Sequence, residues 1–569
     1  MCILSKRTVI VGFLCLFLSM MIGKAQTDNR FEMSKNLDIF NSLLKEVEMF
    51  YVDSVDVEKT VRRGIDAMLR GLDPYTEFYP EQNTEDLDLL TTGEYGGIGS
   101  LIRQRNNDGY VMIAEPTEGM PADLAGLKAG DVILKVDTID VTKATSARVS
   151  ELLKGVPNTK MVLTIQRPGE KKTRKVEITR KQITTPQVTY YGVRNDSIGY
   201  IYLNAFTIKS AQEVKEAFLD LKKNHDIKSL VLDLRGNGGG VLEGAVQIVS
   251  FFVPKGREVL STRGKMKQWD RTYRTTTEPL DTVMPLAILI NEGTASAAEI
   301  VSGSLQDMDR AVLVGQRSFG KGLVQSSRDL PYNSKLKITM SKYYIPSGRC
   351  IQQIDYSHRK EDGSVAAIPD SLTSVFYTAN NRPVRDGGGV RPEFEVEEQK
   401  IPTMLYYLAS DTVLFDYVTE WAQQHETIAA IEDFAVSDED FESFKEYAKS
   451  KNFTYDRQSE KILKNLKEVA EFEGYLAEDS TAFKELELKL TPDLERDFDR
   501  FKDEVKRVMA AEIVKRYYYQ RGELQESLKD DPTLEKALAV LGDHSLYVQT
   551  LSTPIEMKEE EALTYSPEK

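Results

Sequence analysis

The sequence predicts an α/β fold, in which a core of mixed strands and helices carries an inserted smaller domain and helical regions at both ends. In residues 182–398, short apolar runs such as 229–234 and 310–314 alternate with an amphipathic helical pattern such as 211–222. From about Lys400 onward the chain is rich in Lys, Glu, Asp and Leu and has few glycines, which is typical of helices. The sheet is therefore expected in the middle of the chain.

The N-terminal region also predicts helices. Apolar residues recur there at helical spacing, at Phe40, Leu43, Leu44, Val47 and Phe50, and again over residues 61–69. We expect the following blocks: a signal peptide (1–25), an N-terminal helical region (26–88), a small domain (89–181), the α/β core (182–398) and a C-terminal helical region (399–569). The helical ends are the expected surfaces for a homodimer, and the C-terminal block itself reveals no chemistry.

Composition and charge limit the classes of partner. A chain of 569 residues with 41% hydrophobic and 29% charged residues is an ordinary globular protein of about three to four domains. The net charge of −15 argues against nucleic acid or an anionic membrane surface as the main partner, because both require a basic counterpart.

The first residues have the pattern of an export signal. Lys6 and Arg7 precede an apolar run over 8–22, and Gly23 and Ala25 are the small residues that a signal peptidase reads. The run is shorter than the roughly 20 residues of a spanning helix, which favours cleavage near Ala25 over a retained anchor, although membrane association stays open. Without residues 1–25, Cys350 would be a single thiol that can form no internal disulfide.

Ser296 and Lys321 are the strongest candidates for catalysis. Both lie in segments without histidine, 291–300 and 318–325. A serine hydroxyl needs a base to become a nucleophile, and a neutral lysine can be that base. The apolar run before Ser296 and the helical pattern after it predict a strand-to-helix junction, where free amides favour an oxyanion.

Lys321 must lose its charge to act as a base. Burial away from carboxylates can lower a lysine pKa by several units from about 10.4. The strand predicted after Lys321 puts Gln325 on the same face, where it can orient the amine. Taken singly, however, Ser296 is more often a helix cap and Lys321 a solvated surface residue.

Several further motifs accompany these two segments in order along the chain. They are LDPYT (72–76), YGGIG (95–99), MPADLAGLKAGDVI (120–133), LDLRGNGGG (232–240), KYYIPSGR (342–349) and DGGGVRP (386–392). Together they resemble the carboxyl-terminal processing proteases, also called tail-specific proteases, over most of the chain. The resemblance implies an exported, periplasmic serine endopeptidase with a PDZ-like domain and without a cofactor, in which Ser296 is the nucleophile, Lys321 the general base and Gln325 a supporting residue.

Two departures from the family pattern are small. Gly238 stands where the family usually has proline, and Ala298 where serine is frequent. The resemblance also implies an oxyanion hole made by the amide of Ala297 and by an amide of the pair Gly239–Gly240, of which we choose Gly240. Glycine suits this place because no Cβ blocks the approach of the substrate carbonyl.

The PDZ-like segment predicts how a substrate is captured. Gly97 and the amides of Ile98, Gly99 and Ser100 are expected to bind a free C-terminus, and the peptide would pair as an added strand. Val149 and Leu153, four residues apart on a predicted helix, either face this ligand or belong to the core. The partners implied are proteins or peptides with free C-termini, and an adaptor protein stays open.

Other classes of function fit the sequence less well. Residues 315–321 match the phosphate-binding pattern G-x-x-x-x-G-K, but Gly322 replaces its Ser or Thr and a strand is expected next. Residues 236–241 imitate a dinucleotide fingerprint but end in Val241. The four histidines are scattered, which disfavours a metal site or a Ser-His-Asp triad. The remaining alternative is a peptide-binding adaptor without turnover.

Overall fold

A computed structural model describes residues 30–105, 108–360, 364–397, 401–475, 480–490 and 493–552. The predicted signal peptide lies outside these residues. Two compact units divide the chain, one formed by the N-terminal part up to Pro80 together with Gln325–Thr339, and the other by Glu81–Val324 and the chain from Met340 onward.

The first unit combines helices with a strand pair. A helix over 30–50 is followed by helix Val57–Arg70, and strand Glu77–Tyr79 pairs antiparallel with the start of strand Lys335–Tyr344. The LDPYT motif forms a turn in which the buried Asp73 accepts hydrogen bonds from the amide and the hydroxyl of Thr76, at 2.8 and 3.0 Å. The motif is therefore a structural turn that leads into the strand.

A small antiparallel sheet with two short helices forms the inserted domain of the second unit. Its strands pair in the order Ser100–Gln104, Val111–Pro116, Val132–Val136, Lys160–Gln166 and Arg174–Thr179, and Ile139–Asp140 pairs with the third of them. Helices Pro121–Leu124 and Ser146–Leu153 complete it. We call this part the PDZ-like module. Strand Glu94–Gly97 pairs with Lys181–Thr184 where the chain enters and leaves it.

The core is a six-stranded sheet. Its strands lie in the order Val188–Arg194, Ile198–Leu203, Ser229–Asp233, Leu286–Ile290, Val312–Gly315 and Phe394–Glu395. The first pair is antiparallel and the others are parallel. Near-continuous apolar runs such as Leu286–Ile290 are typical of parallel strands that are covered on both faces.

Different parts of the chain cover the two faces of this sheet. Helices Ser210–Asn224, Leu242–Ser250 and Ala297–Asp307 pack on one face in the largest hydrophobic cluster. The other face packs against the helix Pro532–Gly542, through residues such as Leu534 and Val540. The C-terminal region is therefore part of the core, which its sequence alone did not indicate.

The rest of the second unit consists of smaller strand pairs and further helices. Strand Glu258–Gly264 pairs with Arg271–Arg274 and with the end of strand Lys335–Tyr344, and Val375–Tyr377 pairs with Pro383–Arg385. The helices not yet named are Thr84–Thr92, Thr403–Ser410, Thr412–Gln424, Asp438–Ser450, Gln458–Phe472, Ser480–Leu490, Leu494–Arg500, Lys502–Ser527 and His544–Ser552. Across the described ranges, none of the helices has the length and apolar character needed to cross a membrane.

The predicted fold class is confirmed, because a mixed α/β core, a PDZ-like module and C-terminal helices are all present. Element bounds differ by a few residues from those predicted. The helix after Ser296 begins at Ala297, and the strand after Lys321 begins at Leu323.

Candidate active site

Ser296 occupies the junction between strand Leu286–Ile290 and helix Ala297–Asp307. Its backbone has φ 55° and ψ −114°, a conformation that is unfavourable for a residue with a side chain. The surrounding turn holds it there: the hydroxyl of Thr294 donates to the carbonyl of Leu234 at 2.9 Å, and the amide of Ala295 donates to the carbonyl of Asn237 at 2.9 Å. The half-buried Ser296 thus lies on a strained, well-anchored turn.

Glu299 joins the serine segment to the lysine segment. One of its carboxylate oxygens accepts hydrogen bonds from the amides of both Ser296 and Lys321, each at 2.8 Å. The other accepts from the amide of Gly320 at 2.7 Å and from the hydroxyl of Ser318 at 2.5 Å. A single buried side chain therefore fixes the backbones of Ser296 and Lys321 close together.

The environment of Glu299 has opposing electrostatic effects. Burial raises the pKa of this carboxyl above its usual range, whereas its four hydrogen-bond donors lower the pKa. The sequence expectation for Lys321 was a site away from carboxylates, and the structure instead places one at its backbone amide. Since a carboxylate has about four acceptor positions, the four donors satisfy this one.

The lysine segment is held by further backbone contacts. The amide of Phe319 donates to the carbonyl of Thr294 at 2.9 Å, and the amide of Gly322 donates to Oε1 of Gln352 at 2.8 Å. Lys321, between them, is half-buried. Both sides of Lys321 are therefore fixed, one to the serine turn and the other to the neighbouring loop.

The two amides predicted for an oxyanion hole differ from their neighbour Gly239. The amide of Gly239 already donates to Oδ1 of Asn237 at 2.9 Å, whereas those of Gly240 and Ala297 donate to no other group among the described residues. A Cβ on Gly239 would lie 2.8 Å from the amide nitrogen of Ala297. Gly239 therefore packs closely against the segment of Ser296 and Ala297, and Gly240 stays the predicted second donor.

We expect Gly239→Ala to lower the activity by about 100-fold or more, because shifts of about 1 Å at reacting groups have effects of that size. The added Cβ would lie 2.7 Å from both the carbonyl oxygen of Ala295 and Cβ of Ser296, and φ of +94° adds strain. Gly238→Ala is the matched control, since its Cβ would have nothing within 4 Å. Comparison of kcat/KM for the two variants checks this, and equal values would contradict it.

Gln325 belongs to the first unit, whereas Ser296 and Lys321 belong to the second. Its side-chain amide donates to the hydroxyl of Thr339 at 3.1 Å. This bond fixes the orientation of the Gln325 amide within its unit. Its hydrogen bond to Lys321 stays a prediction.

The predicted peptide groove of the PDZ-like module contains a cavity of about 550 Å³. Ile98, Ser100 and Leu153 line it, and Val149 is fully buried in the hydrophobic core of the module. Gly97 pairs with Lys181 at the end of its strand. Gly99 has φ +68°, which suits glycine at the turn between the two strands. The structure therefore places Ile98, Ser100 and Leu153 at the cavity, and Val149 in the core.

Sequence reasoning missed Glu299 and Asn237. Ser296 and Glu299 have the spacing of a capping box, S-x-x-E, which could have indicated the contact between them. Asn237 is fully buried, and besides holding Gly239 it donates from Nδ2 to the carbonyl of Leu203 at 2.7 Å. Its neighbours are glycines, so the sequence pattern gave no sign that its side chain anchors the loop.

The alternative reading as a phosphate-binding loop is wrong for residues 315–321. That motif needs free amides at the start of a helix, whereas strand Leu323–Asp329 follows here. The amides of Gly320 and Lys321 are also already bonded to Glu299. An anion would find no free donors at these two positions.

Comparison with known proteins agrees with the architecture. Residues 197–357 match peptidase family S41, residues 112–167 match the PDZ domain, and residues 404–541 match the family described as "Probable PDZ-protease, C-terminal helical domain". Among solved structures, the chain is similar to the photosystem II D1 C-terminal processing protease (26% identity, TM-score 0.33, 64% of this chain and 94% of that one). It is also similar to a putative S41 protease from Bacteroides fragilis (16%, TM-score 0.36, 62% and 86%).

Curated relatives have a higher sequence identity to this chain. A "Probable CtpA-like serine protease" of Staphylococcus aureus is 33% identical over 320 residues, which are 56% of this chain and 62% of that protein. The carboxy-terminal-processing protease of Bartonella bacilliformis is 35% identical over 345 residues, 60% of this chain and 78% of that protein. On this similarity, the chain belongs to the family of carboxy-terminal-processing proteases and is a serine-type C-terminal processing peptidase of family S41.

Proposed function

We propose that the protein cleaves protein substrates with a Ser-Lys pair. Ser296 attacks the scissile carbonyl while the neutral amine of Lys321 accepts the hydroxyl proton and returns it to the leaving amine. Water then hydrolyses the acyl-enzyme. The amides of Ala297 and Gly240 donate to the oxyanion, and Gln325 orients the amine of Lys321.

The observation that carries this proposal is the shared oxygen of Glu299. Hydrogen bonds of 2.8 Å from both Ser296 and Lys321 hold the two segments together without occupying either side-chain head group. The strained backbone of Ser296 supports the same reading, since such strain is concentrated at functional sites. A structural helix cap alone would not require a link to a second segment that carries a lysine.

The PDZ-like groove would supply the substrate by binding a free C-terminus, so that the core cleaves upstream of it. This is the peptide-recognition mode in which a ligand strand adds to a sheet edge and amides converge on its carboxylate.

The protein would be exported to the periplasm after cleavage near Ala25. Its N-terminal helical region, PDZ-like domain and peptidase core would end at residues 88, 181 and 398. Exposed apolar side chains on the helix over 30–50, such as Phe40 and Leu43, support a homodimer through this helix.

We expect purified protein to cleave an unstructured polypeptide with a free apolar C-terminus, and Ser296→Ala to bind it without cleavage. Electrophoresis and mass spectrometry of the products would follow the reaction. Ser54→Ala is the matched control, because Ser54 is exposed and lies in the first unit. Binding without cleavage by the unaltered protein would favour the adaptor function, and equal cleavage by Ser296→Ala would remove Ser296 as the nucleophile.

A further inference from the structure

The long helix Lys502–Ser527 is interrupted at Tyr519, where the backbone has φ 56° and ψ −163°. For a residue with a side chain such a conformation is strained, and it persists only where the surroundings hold it. Tyr519, Gln520 and Arg521 at this kink all line the cavity of the predicted peptide groove. The C-terminal helical region thus forms part of the groove wall.

Polar contacts tie the kink to the PDZ-like module. The hydroxyl of Tyr519 donates to Oδ1 of Asp123 at 2.8 Å. The guanidinium of Arg521 donates to both carboxylate oxygens of Glu118, at 3.0 and 3.3 Å. Each contact from the kink therefore reaches an acidic side chain of the module.

A second cation reaches a deeper glutamate of the groove. Glu115 is 6% exposed, lines the same cavity, and its pKa is raised by burial. The amine of Lys515, on the same helix as the kink, lies 3.5 Å from its carboxylate. Lys515 also pairs with Glu523 of its own helix at 2.8 Å, so its charge is shared between two glutamates, whereas Arg521 pairs with Glu118.

These charges matter for a ligand that is itself an anion. Glu115, Glu118 and Lys154 are the ionisable groups with which the PDZ-like module lines the cavity, apart from Tyr95, and their sum is negative when all three are charged. Charges a few ångströms apart interact measurably at the effective dielectric of a protein surface when the ionic strength is low. A peptide carboxylate would be repelled by an unpaired Glu118, whereas Arg521 of the helical region offsets this charge.

We propose that the kink segment Tyr519–Arg521 completes the tail-binding site, with Arg521 as a specificity-determining residue for ligands that carry a free C-terminal carboxylate. This inference rests on the proposed capture of C-termini by the groove and adds the contribution of a helical region about 400 residues away in the chain. Arg521 acts by neutralising Glu118 at the mouth of the groove.

Fluorescence anisotropy at low ionic strength tests this with a labelled peptide that ends in a free apolar residue and with its C-terminal amide. The protein carries Ser296→Ala to prevent cleavage. We expect Arg521→Gln to raise Kd for the free acid about three- to tenfold and to change Kd for the amide less than twofold. The double variant Glu118→Gln/Arg521→Gln is expected to recover the parent Kd within about twofold, because no unpaired glutamate is left.

Arg174→Gln is the matched control, since Arg174 also forms an exposed ion pair in the module, with Glu170, but does not line the cavity. It should leave Kd unchanged. Tighter binding by Arg521→Gln would mean that the kink segment blocks the groove. Unchanged discrimination between acid and amide would mean that Arg521 plays no part in binding. Each of these results would overturn this inference and leave the proposed capture of C-termini intact. Equal binding of acid and amide by the parent would overturn the capture function itself.

Discussion

Lys321→Ala is expected to lower kcat/KM for peptide hydrolysis by about 1,000-fold or more, because it removes the proposed acceptor of the Ser296 proton. The hydrogen bond to Glu299 is donated by the backbone amide of Lys321, so it survives the substitution. The loss should therefore occur with little change in stability. Initial rates on a fluorogenic peptide and the Tm of both proteins check the two parts of this expectation.

Lys255→Ala is the matched control for this variant, because Lys255 is exposed in a loop of the same unit. It should retain full activity. An active Lys321→Ala protein would show that another group is the base. A large loss of Tm in Lys321→Ala would show that the lysine has a structural role instead.

Glu299→Ala is expected to have the largest effect on folding. It leaves three backbone amides and the hydroxyl of Ser318 without their acceptor at a fully buried position. Each buried unsatisfied group costs about 1–3 kcal/mol, so we expect a loss of roughly 3–5 kcal/mol in the free energy of unfolding after partial relaxation. Activity should fall as well, because the positions of Ser296 and Lys321 depend on this side chain.

Urea unfolding of the variant measures the first effect. Glu292→Ala is the control, since Glu292 is exposed in the same loop that precedes the serine. It should change the free energy of unfolding by less than about 0.5 kcal/mol. A similarly small change in Glu299→Ala would contradict the view that Glu299 holds the two segments together.

The position of Ser296 could be predicted because the change from an apolar run to a helical pattern is local. The contact between the Ser296 segment and the Lys321 segment could not be predicted in this way. Glu299 reads as an ordinary residue in the first turn of a helix, and its bonds to Gly320 and Lys321 depend on a loop about 20 residues away. The S-x-x-E spacing within one segment indicates that Glu299 caps the helix. It does not indicate which other backbone amides bind the same carboxylate.

The wall of the peptide groove is a second feature that the sequence predicts only in part. The glycine-rich turn at 96–99 predicted where a peptide would bind, and Ser100 and Leu153 do line a cavity there. That Arg521 lines the same cavity follows from tertiary packing between residues about 400 positions apart, for which sequence periodicity has no signal. Gly522 was a hint of a kink, since Gly is unfavourable inside a helix, but it does not say what the kink contacts.

The measurement that tests the Ser-Lys proposal most directly is the pH dependence of the rate of acylation by a peptide ester. The reaction is quenched with acid at different times, and mass spectrometry locates the acyl group. We predict that the acyl group is on Ser296. The rate of acylation should rise with pH to a plateau, with a midpoint below about 10.4, the pKa of free lysine. Lys321→Ala should lose this acylation. Acylation of another residue, or an equal rate in Lys321→Ala, would contradict the proposal.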